Sequence, residues 1–391
     1  MIDQMKIAIV GAGTTSLDAA KAFEKKYPII VFDSDAEKRE LFASANIPFT
    51  DHPDDLADAS VLLITGSKRP VYTVDRLTKI CGIVGSRMKK GAVLIFESPV
   101  YPGTTEDICI PILEQYSGFT AGKEFFVGFA PARWNSTESL PDKVKMRKVV
   151  VGQTGPVTDY LADLFEPIHD GGIFKAKTIR VAEAAQLLEI AQKEVNTALI
   201  NELALSLNQQ NIDTFDVLET ANTKRGFVKF EPDLLGPPPD YWTQQANWRA
   251  PTAGYGRELA QRIVKKLIQN EIIIHQCRVT VLGMVHHSPD DPESGLVQLV
   301  KELSDYGIDV QVTDEALAQQ GTECVNGLIL TPEQELKPAA AVILAVPHSA
   351  YQKAGWKLFE RLLKDKEGYV FDLNSVLPRS EKPEMVNLWR I

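Results

Sequence analysis

Ile7-Ala-Ile-Val-Gly-Ala-Gly-Thr-Thr-Ser16 passes from an apolar strand pattern through two glycines into the start of a helical one. Glycine is wanted at positions 11 and 13 because the backbone must turn tightly there and then approach a ligand closely. A pyrophosphate suits that place, since the first N–H groups of a helix have no partner within the helix. Ser16 stands where the fingerprint has its third glycine and is small enough for close helix-to-strand packing. The next strand pattern, Ile29-Ile-Val-Phe-Asp33, ends in a carboxylate about twenty residues beyond Gly13, where an acid would hold ribose hydroxyls. Asp35 follows, and two carboxylates would repel a 2′-phosphate, so the expected cofactor is NAD rather than NADP.

Outward from this turn the chain alternates strand-like and helix-like runs, which predicts a parallel sheet covered by helices. Lys6–Val10, Ile29–Asp33, Val61–Thr65, Val93–Glu97, Phe125–Phe129 and Lys148–Gly152 read as strands, with helical patterns such as Leu17–Lys26 and Thr105–Gln115 between them. From Ala182 to Gln210 apolar residues recur at helical spacing without proline. Such a helix would run about 40 Å, long enough to bridge two domains. After a further helical run, Tyr255–Asn270, strand patterns return at Arg278–Gly283, Val310–Asp314, Ala341–Val346 and Tyr369–Leu373, with a helix at Leu296–Tyr306. The expected fold is α/β: two doubly wound, Rossmann-like parallel-sheet domains joined by a helical connector with a long central helix. The boundaries are 1–178 for the NAD-binding domain, 179–275 for the connector and 276–391 for the second α/β domain.

A chain of 391 residues is too long for one ordinary core. The net charge of −10 gives no support to a nucleic-acid partner, which calls for a basic face. No apolar run reaches the eighteen or so residues of a membrane span, and the N-terminus has no signal-peptide layout. A cytoplasmic location is therefore expected. Cys81, Cys109, Cys277 and Cys324 are widely separated and read as buried small hydrophobes. Neighbouring His286 and His287 would face opposite sides of a strand, so no metal site is expected.

Several motifs carry a more specific message. Glu97-Ser-Pro-Val-Tyr-Pro-Gly-Thr-Thr-Glu106, Glu183-Ala-Ala-Gln-Leu-Leu-Glu189 and Val195-Asn-Thr-Ala-Leu-Ile-Asn-Glu-Leu-Ala204 closely resemble the E-S-T-V-x-P-G-T-T-E, E-A-A-K-L-x-E and V-N-I-A-L-x-N-E-L-A segments of the UDP-glucose/GDP-mannose (nucleotide-sugar) 6-dehydrogenase family. The resemblance covers nearly the whole chain. It implies that Thr104, Thr105 and Glu106 join Gly11, Gly13, Ser16 and Asp33 around the dinucleotide. It also implies that Arg133, Lys229, Phe230 and Arg257 meet a nucleotide-sugar or other small-molecule substrate, and that the chain forms a homodimer through the long helix.

Members of that family oxidise a sugar alcohol to a carboxylate in two hydride transfers, with a cysteine thiolate trapping the intermediate aldehyde. Here Phe227-Val-Lys-Phe-Glu-Pro-Asp-Leu-Leu-Gly-Pro-Pro-Pro-Asp-Tyr-Trp242 passes from Gly236 straight to three prolines where the cysteine segment should stand. The family's lysine is Gln186, the asparagine after it is Ile190, and the glutamate of S-P-E-R is Ala132. The lysine of a later segment is replaced by His287, and Pro99 stands for a threonine. Groups that act as one catalytic unit are not individually dispensable. Two readings follow. One is an oxidoreductase limited to a single hydride, for which His287, Lys193 and Tyr101 are candidate acid/base groups; the other is a non-catalytic NAD-binding partner or regulator of an active enzyme.

Overall fold

The computed structural model describes residues 5–65, 73–132, 146–210, 212–228, 255–284, 295–318, 324–325 and 327–390. Arg133, Lys229, Phe230, His287 and the proline run 237–239 lie outside them. Two compact units are present, one extending to Ala191 and the other beginning at Gln192.

The first unit is built on eight strands: β1 (Ile7–Val10), β2 (Ile29–Phe32), β3 (Phe49–Thr50), β4 (Val61–Ile64), β5 (Val93–Phe96), β6 (Phe126–Phe129), β7 (Lys148–Gly152) and β8 (Ile173–Lys175). Their order is β3-β2-β1-β4-β5-β6-β7-β8, so the chain reverses direction across the sheet between β1 and β4. Ligands of open α/β sheets bind at such a switch point, outside the carboxyl ends of the strands. Val10 pairs with Phe32 on one side and Ile64 on the other, which brings the ends of β1, β2 and β4 level.

Alternate residues of the central strands feed two separate cores. Ala8, Val10, Leu62, Ile64, Leu94 and Phe96 pack on one face; Ile7, Ile9, Val61, Leu63, Val93 and Ile95 pack on the other. Each buried aliphatic or aromatic side chain contributes about 1.5–3 kcal/mol, so a sheet covered on both faces tolerates no polar alternation. That is why these strands read as continuous apolar runs. One strand departs from expectation: β7 runs antiparallel to β6. An apolar run records burial but not direction, so the sequence could not reveal this.

In the second unit β9 (Arg278–Leu282), β10 (Asp309–Thr313), β13 (Ala341–Leu344), β14 (Gly368–Asp372) and β15 (Val386–Arg390) form an all-parallel sheet in the order β10-β9-β13-β14-β15. The short β11 (Cys324–Val325) and β12 (Leu328–Ile329) pair separately. Helices Tyr255–Gln269 and Gly295–Asp305 cover one face in a core that also takes in Ala204 and Leu205. These two helices meet at Gly256, where a Cβ would stand 2.1 Å from the Gly295 carbonyl oxygen. Tyr351, Trp356, Phe359 and Leu362 cover the opposite face.

The long helix spans Ile179–Gln209. Cys81, Cys109 and Cys277 are buried as expected. Cys324 is exposed, because β11 belongs to a small surface ribbon rather than to either main sheet. No helix among the described residues is long and apolar enough to cross a membrane.

Candidate functional site

At the end of β1 the chain makes the turn that its glycines require. Gly11 has φ +102°, and a Cβ there would lie 2.3 Å from the Thr65 carbonyl oxygen, so no other residue fits. The Thr65 hydroxyl donates to the Gly11 carbonyl at 2.8 Å and ties the turn to β4. Gly13 is extended (φ −175°), and its value is openness: the nearest atom to a Cβ at that position is Ser16 Oγ at 4.0 Å. Ser16 does more than stay small. Its hydroxyl accepts from the Gly13 N–H at 2.6 Å and donates to the Gly13 carbonyl at 2.8 Å, capping the helix Thr14–Phe23 from within. The backbone N–H groups of Thr14 and Thr15, in the first turn, are left to meet an anion. An open glycine cradle over a helix start, with an acid at the end of β2, fits NAD.

That acid is Asp33. Its Oδ2 accepts from the Ala12 N–H at 2.7 Å, and its Oδ1 from the Asp35 N–H at 3.1 Å. Two cations close on Oδ2 as well, Lys38 at 3.1 Å and Arg76 at 3.2 Å. Burial opposes ionisation, yet the backbone donors and Lys38 hold this carboxyl below its ordinary range.

A second set of groups gathers where β5 runs into the Glu97–Glu106 loop. Lys148, wholly buried at the start of β7, donates to Glu97 Oε1 at 2.7 Å and to the carbonyls of Ala130 and Pro131 at 3.1 and 3.0 Å. Its ammonium also lies 4.5 Å from the centre of the Phe165 ring. The Glu97 carbonyl accepts from the Ala132 N–H at 3.2 Å and from Gln186 Nε2 at 3.3 Å. Ala132 and Gln186, two of the departures noted in the sequence, therefore converge on one carbonyl. Because that carbonyl can only accept, the amide end of Gln186 must face it and Oε1 must point away. Ser98 Oγ and Gln186 Oε1 are buried with no hydrogen-bond partner among the described residues. Ile190 lies one turn further along the same helix and is partly buried.

The loop then enters a π-helix, Thr104–Cys109, preceded by Gly103 at φ +96°. Glu183 of the long helix accepts from the N–H groups of Gly103 and Thr105 at 2.6 and 3.0 Å, so its carboxylate caps this helix from inside the protein. Burial raises its pKa. Arg180 pairs with Glu106 at 3.0 Å and with Asp107 at 2.7 Å. Thr104 and Thr105 are buried. Among the contacts seen here, Thr105 and Glu106 fix the loop to the long helix.

In the second unit the turn after β9 repeats the geometry of the first. Gly283 has φ +86°, its N–H donates to the Thr313 carbonyl at 2.8 Å, and the Met284 N–H donates to Asp314 Oδ2 at 2.6 Å. Between the two turns only the glycine and the acid are shared, Gly11 with Gly283 and Asp33 with Asp314. Asp314 also accepts from the Leu317 N–H at 3.0 Å and meets His348 Nε2 at 2.9 Å. Burial works against its charge, but His348 and the two N–H groups prevail and bring its pKa down to about 2. The same contact, seen from the other side, raises His348.

A raised histidine pKa stabilises the fold fully below the ordinary value near 6.5, and this contribution is lost as the pH climbs through the folded value. The unfolding midpoint of the native chain is therefore expected to fall between pH 6 and pH 9 by more than that of His348→Gln. Parallel slopes in urea melts would contradict this. Arg257 is largely exposed and pairs with Glu302 at 3.3 Å. Lys193 is exposed, and the Tyr101 hydroxyl is buried.

Residues 67–169 match the NAD binding domain, and residues 281–379 the UDP binding domain, of the UDP-glucose/GDP-mannose dehydrogenase family. The chain is 32% identical to Protein CapL of Staphylococcus aureus, over 98% of this chain and 99% of that protein. It is also 32% identical to a UDP-N-acetyl-D-glucosamine 6-dehydrogenase of Pseudomonas aeruginosa, over 95% and 97%. Among solved structures, a UDP-D-ManNAc dehydrogenase from Pyrococcus horikoshii superposes with a TM-score of 0.78 at 20% identity, covering 99% of both chains. At that identity the superposition speaks for the fold alone.

Proposed function

The chain belongs to the UDP-glucose/GDP-mannose dehydrogenase family and binds NAD, and from that premise we propose that it moves at most one hydride between NAD and an alcohol or carbonyl of a nucleotide-sugar. Two-step oxidation to the carboxylate lies outside its reach. NAD supplies the hydride acceptor; the Gly11–Gly13 turn with the Thr14 and Thr15 N–H groups would hold its pyrophosphate, and Asp33 its ribose.

One observation carries the reading: Gln186 is tied to the Glu97 carbonyl beside Ala132. Stabilising an oxyanion calls for preorganised donors aimed at the developing charge. Gln186 gives one N–H to a backbone carbonyl, brings no positive charge, and keeps an acceptor unpartnered among the described residues, Oε1, which repels negative charge. Ala132 brings no carboxylate to manage a water molecule, and Ile190 brings no amide. Ser98 Oγ remains as a hydroxyl able to meet a substrate alcohol.

The same arrangement favours a second reading, an NAD-binding partner or regulator of an active enzyme that performs no turnover. In both readings segments 1–178, 179–275 and 276–391 serve as NAD-binding domain, helical connector and nucleotide-sugar domain, with Arg133, Lys229, Phe230 and Arg257 on the substrate side. The long helix presents Val181, Leu188, Leu199 and Leu203 to solvent. Together with Ala185 and Val195 they recur at intervals of three, four and seven residues, as on one face of a helix, which suits a homodimer. A cytoplasmic site of action suits a protein of nucleotide-activated sugars and NAD.

Calorimetric titration with NAD, followed by UDP-sugars on the NAD-loaded protein, tests the binding half of this reading. Saturable binding of both is expected. Failure of any UDP-sugar to bind would remove the substrate half, and failure of NAD would remove all of it.

A further inference from the structure

Two buried groups beside the Glu97 carbonyl lack partners, and, given NAD at the β1 turn as proposed above, what they lack is complementary. Ser98 Oγ and Gln186 Oε1 have no hydrogen-bond partner among the described residues, and the two residues are only 3% and 6% exposed. Few polar atoms of a native interior are left in this state, because shutting one off from water without a partner costs free energy. Gln186 is fixed in orientation: its Nε2 donates to the Glu97 carbonyl at 3.3 Å, so Oε1 is the end left over. Ser98 follows Glu97 directly, so both orphans border one peptide unit. Oε1 can only accept, and a serine hydroxyl can donate. A ligand group that satisfies both must offer a donor and an acceptor close together.

The sheet order decides which group arrives there. A dinucleotide lies across the switch point, and the acid at the end of β2 takes its adenosine ribose. With the order β2-β1-β4-β5, its nicotinamide half must therefore extend over the ends of β4 and β5. Ile64 of β4 pairs with Val10 of β1 and with Phe96 of β5, so the end of β5, which leads into Ser98, stands level with the phosphate turn and about 10 Å across the sheet from it. The ring that ends this half of NAD carries a primary carboxamide. Its NH2 donates and its carbonyl accepts.

We propose that Gln186 and Ser98 seat the nicotinamide carboxamide: its NH2 donates to Gln186 Oε1, and its carbonyl accepts from the Ser98 hydroxyl. The lone pairs of Ser98 Oγ stay free to accept from a substrate alcohol. Holding the carboxamide by both ends fixes which face of the ring is turned to the substrate, and with it the side on which the hydride is received. The side chain that offers nothing to an oxyanion thereby orients the cofactor.

The test is calorimetry on the intact chain with four ligands. They are NAD, acetylpyridine adenine dinucleotide, in which a methyl group replaces the NH2, nicotinic acid adenine dinucleotide, which turns a carboxylate towards Oε1, and ADP-ribose, which has no ring. The native chain is expected to bind NAD more tightly than either ring analogue by about fivefold or more. Gln186→Met should bring NAD and the acetylpyridine analogue to within about twofold of each other. Ser98→Ala should weaken both by a similar factor and preserve their ratio, since both carry the carbonyl. ADP-ribose should bind both variants as it binds the native chain, which together with thermal melts shows that they are folded. A native preference for NAD over the acetylpyridine analogue below about fivefold, or a preference that Gln186→Met leaves intact, would overturn the carboxamide seat while NAD binding at the turn stands. Failure of NAD and ADP-ribose alike to bind would overturn both.

Discussion

Replacing Lys148 with methionine is expected to destabilise the first unit by about 3–5 kcal/mol, the range found when one partner of a buried ion pair is removed. The size follows from its surroundings. Lys148 is wholly buried, Glu97 is 1% exposed, and the same ammonium serves the carbonyls of Ala130 and Pro131. Methionine fills similar volume but withdraws the cation that balances Glu97 and the donor that draws the end of β6 against the end of β5. Urea unfolding followed by tryptophan fluorescence reads the loss. The double variant Lys148→Met, Glu97→Gln should recover part of it, since it also removes the buried negative charge. A loss below about 1 kcal/mol for Lys148→Met would contradict a buried pair.

Glu97 also supplies the carbonyl on which Ala132 and Gln186 converge, so this pair reaches beyond stability. It fixes the distance between the β5 loop and the segment after β6, and both borders of the candidate site move if it goes. A lysine inside the run Lys148-Val-Val-Val-Gly152 looks like a strand-edge charge in sequence. Its partner lies about fifty residues away on another strand, and nothing local connects them. Glu183 was legible as part of a family-like motif but not as a cap for the π-helix at Thr104, because a cap of this kind is set by tertiary approach rather than by spacing.

The elements that were legible are those whose physics is local. The Gly11–Gly13 turn and the acid at Asp33 stand where the strand-turn-helix pattern puts them. The Ile179–Gln209 helix was visible from apolar spacing without proline. Both sheets follow from strand patterns that alternate with helical ones. Less visible were strands with little apolar character, such as β8 with its exposed Phe174 and Lys175, and β15, whose Val386 alone is fully buried. The reversed direction of β7 and the Lys38 and Arg76 contacts also escaped, since each depends on parts of the chain that meet only after folding.

On the proposed reading, the cysteine segment that the 227–242 stretch does not match, together with Ala132, Gln186 and Ile190, bears on one reaction, and the expected effect on it is complete. Oxidation of an alcohol to a carboxylate needs two hydride transfers with a covalent stage between them, and the proposal takes a different requirement away at each position: the nucleophile, the charge on the oxyanion, the handling of water. One hydride transfer needs only orientation and a proton acceptor. The direct measurement is therefore a stoichiometry: purified chain, excess NAD and limiting amounts of each UDP-sugar in a panel, with NADH counted by absorbance and the sugar product identified by mass. No more than one NADH per sugar, with no uronic acid formed, is the result this account predicts. Two NADH per sugar, accompanied by the uronic acid, would contradict it.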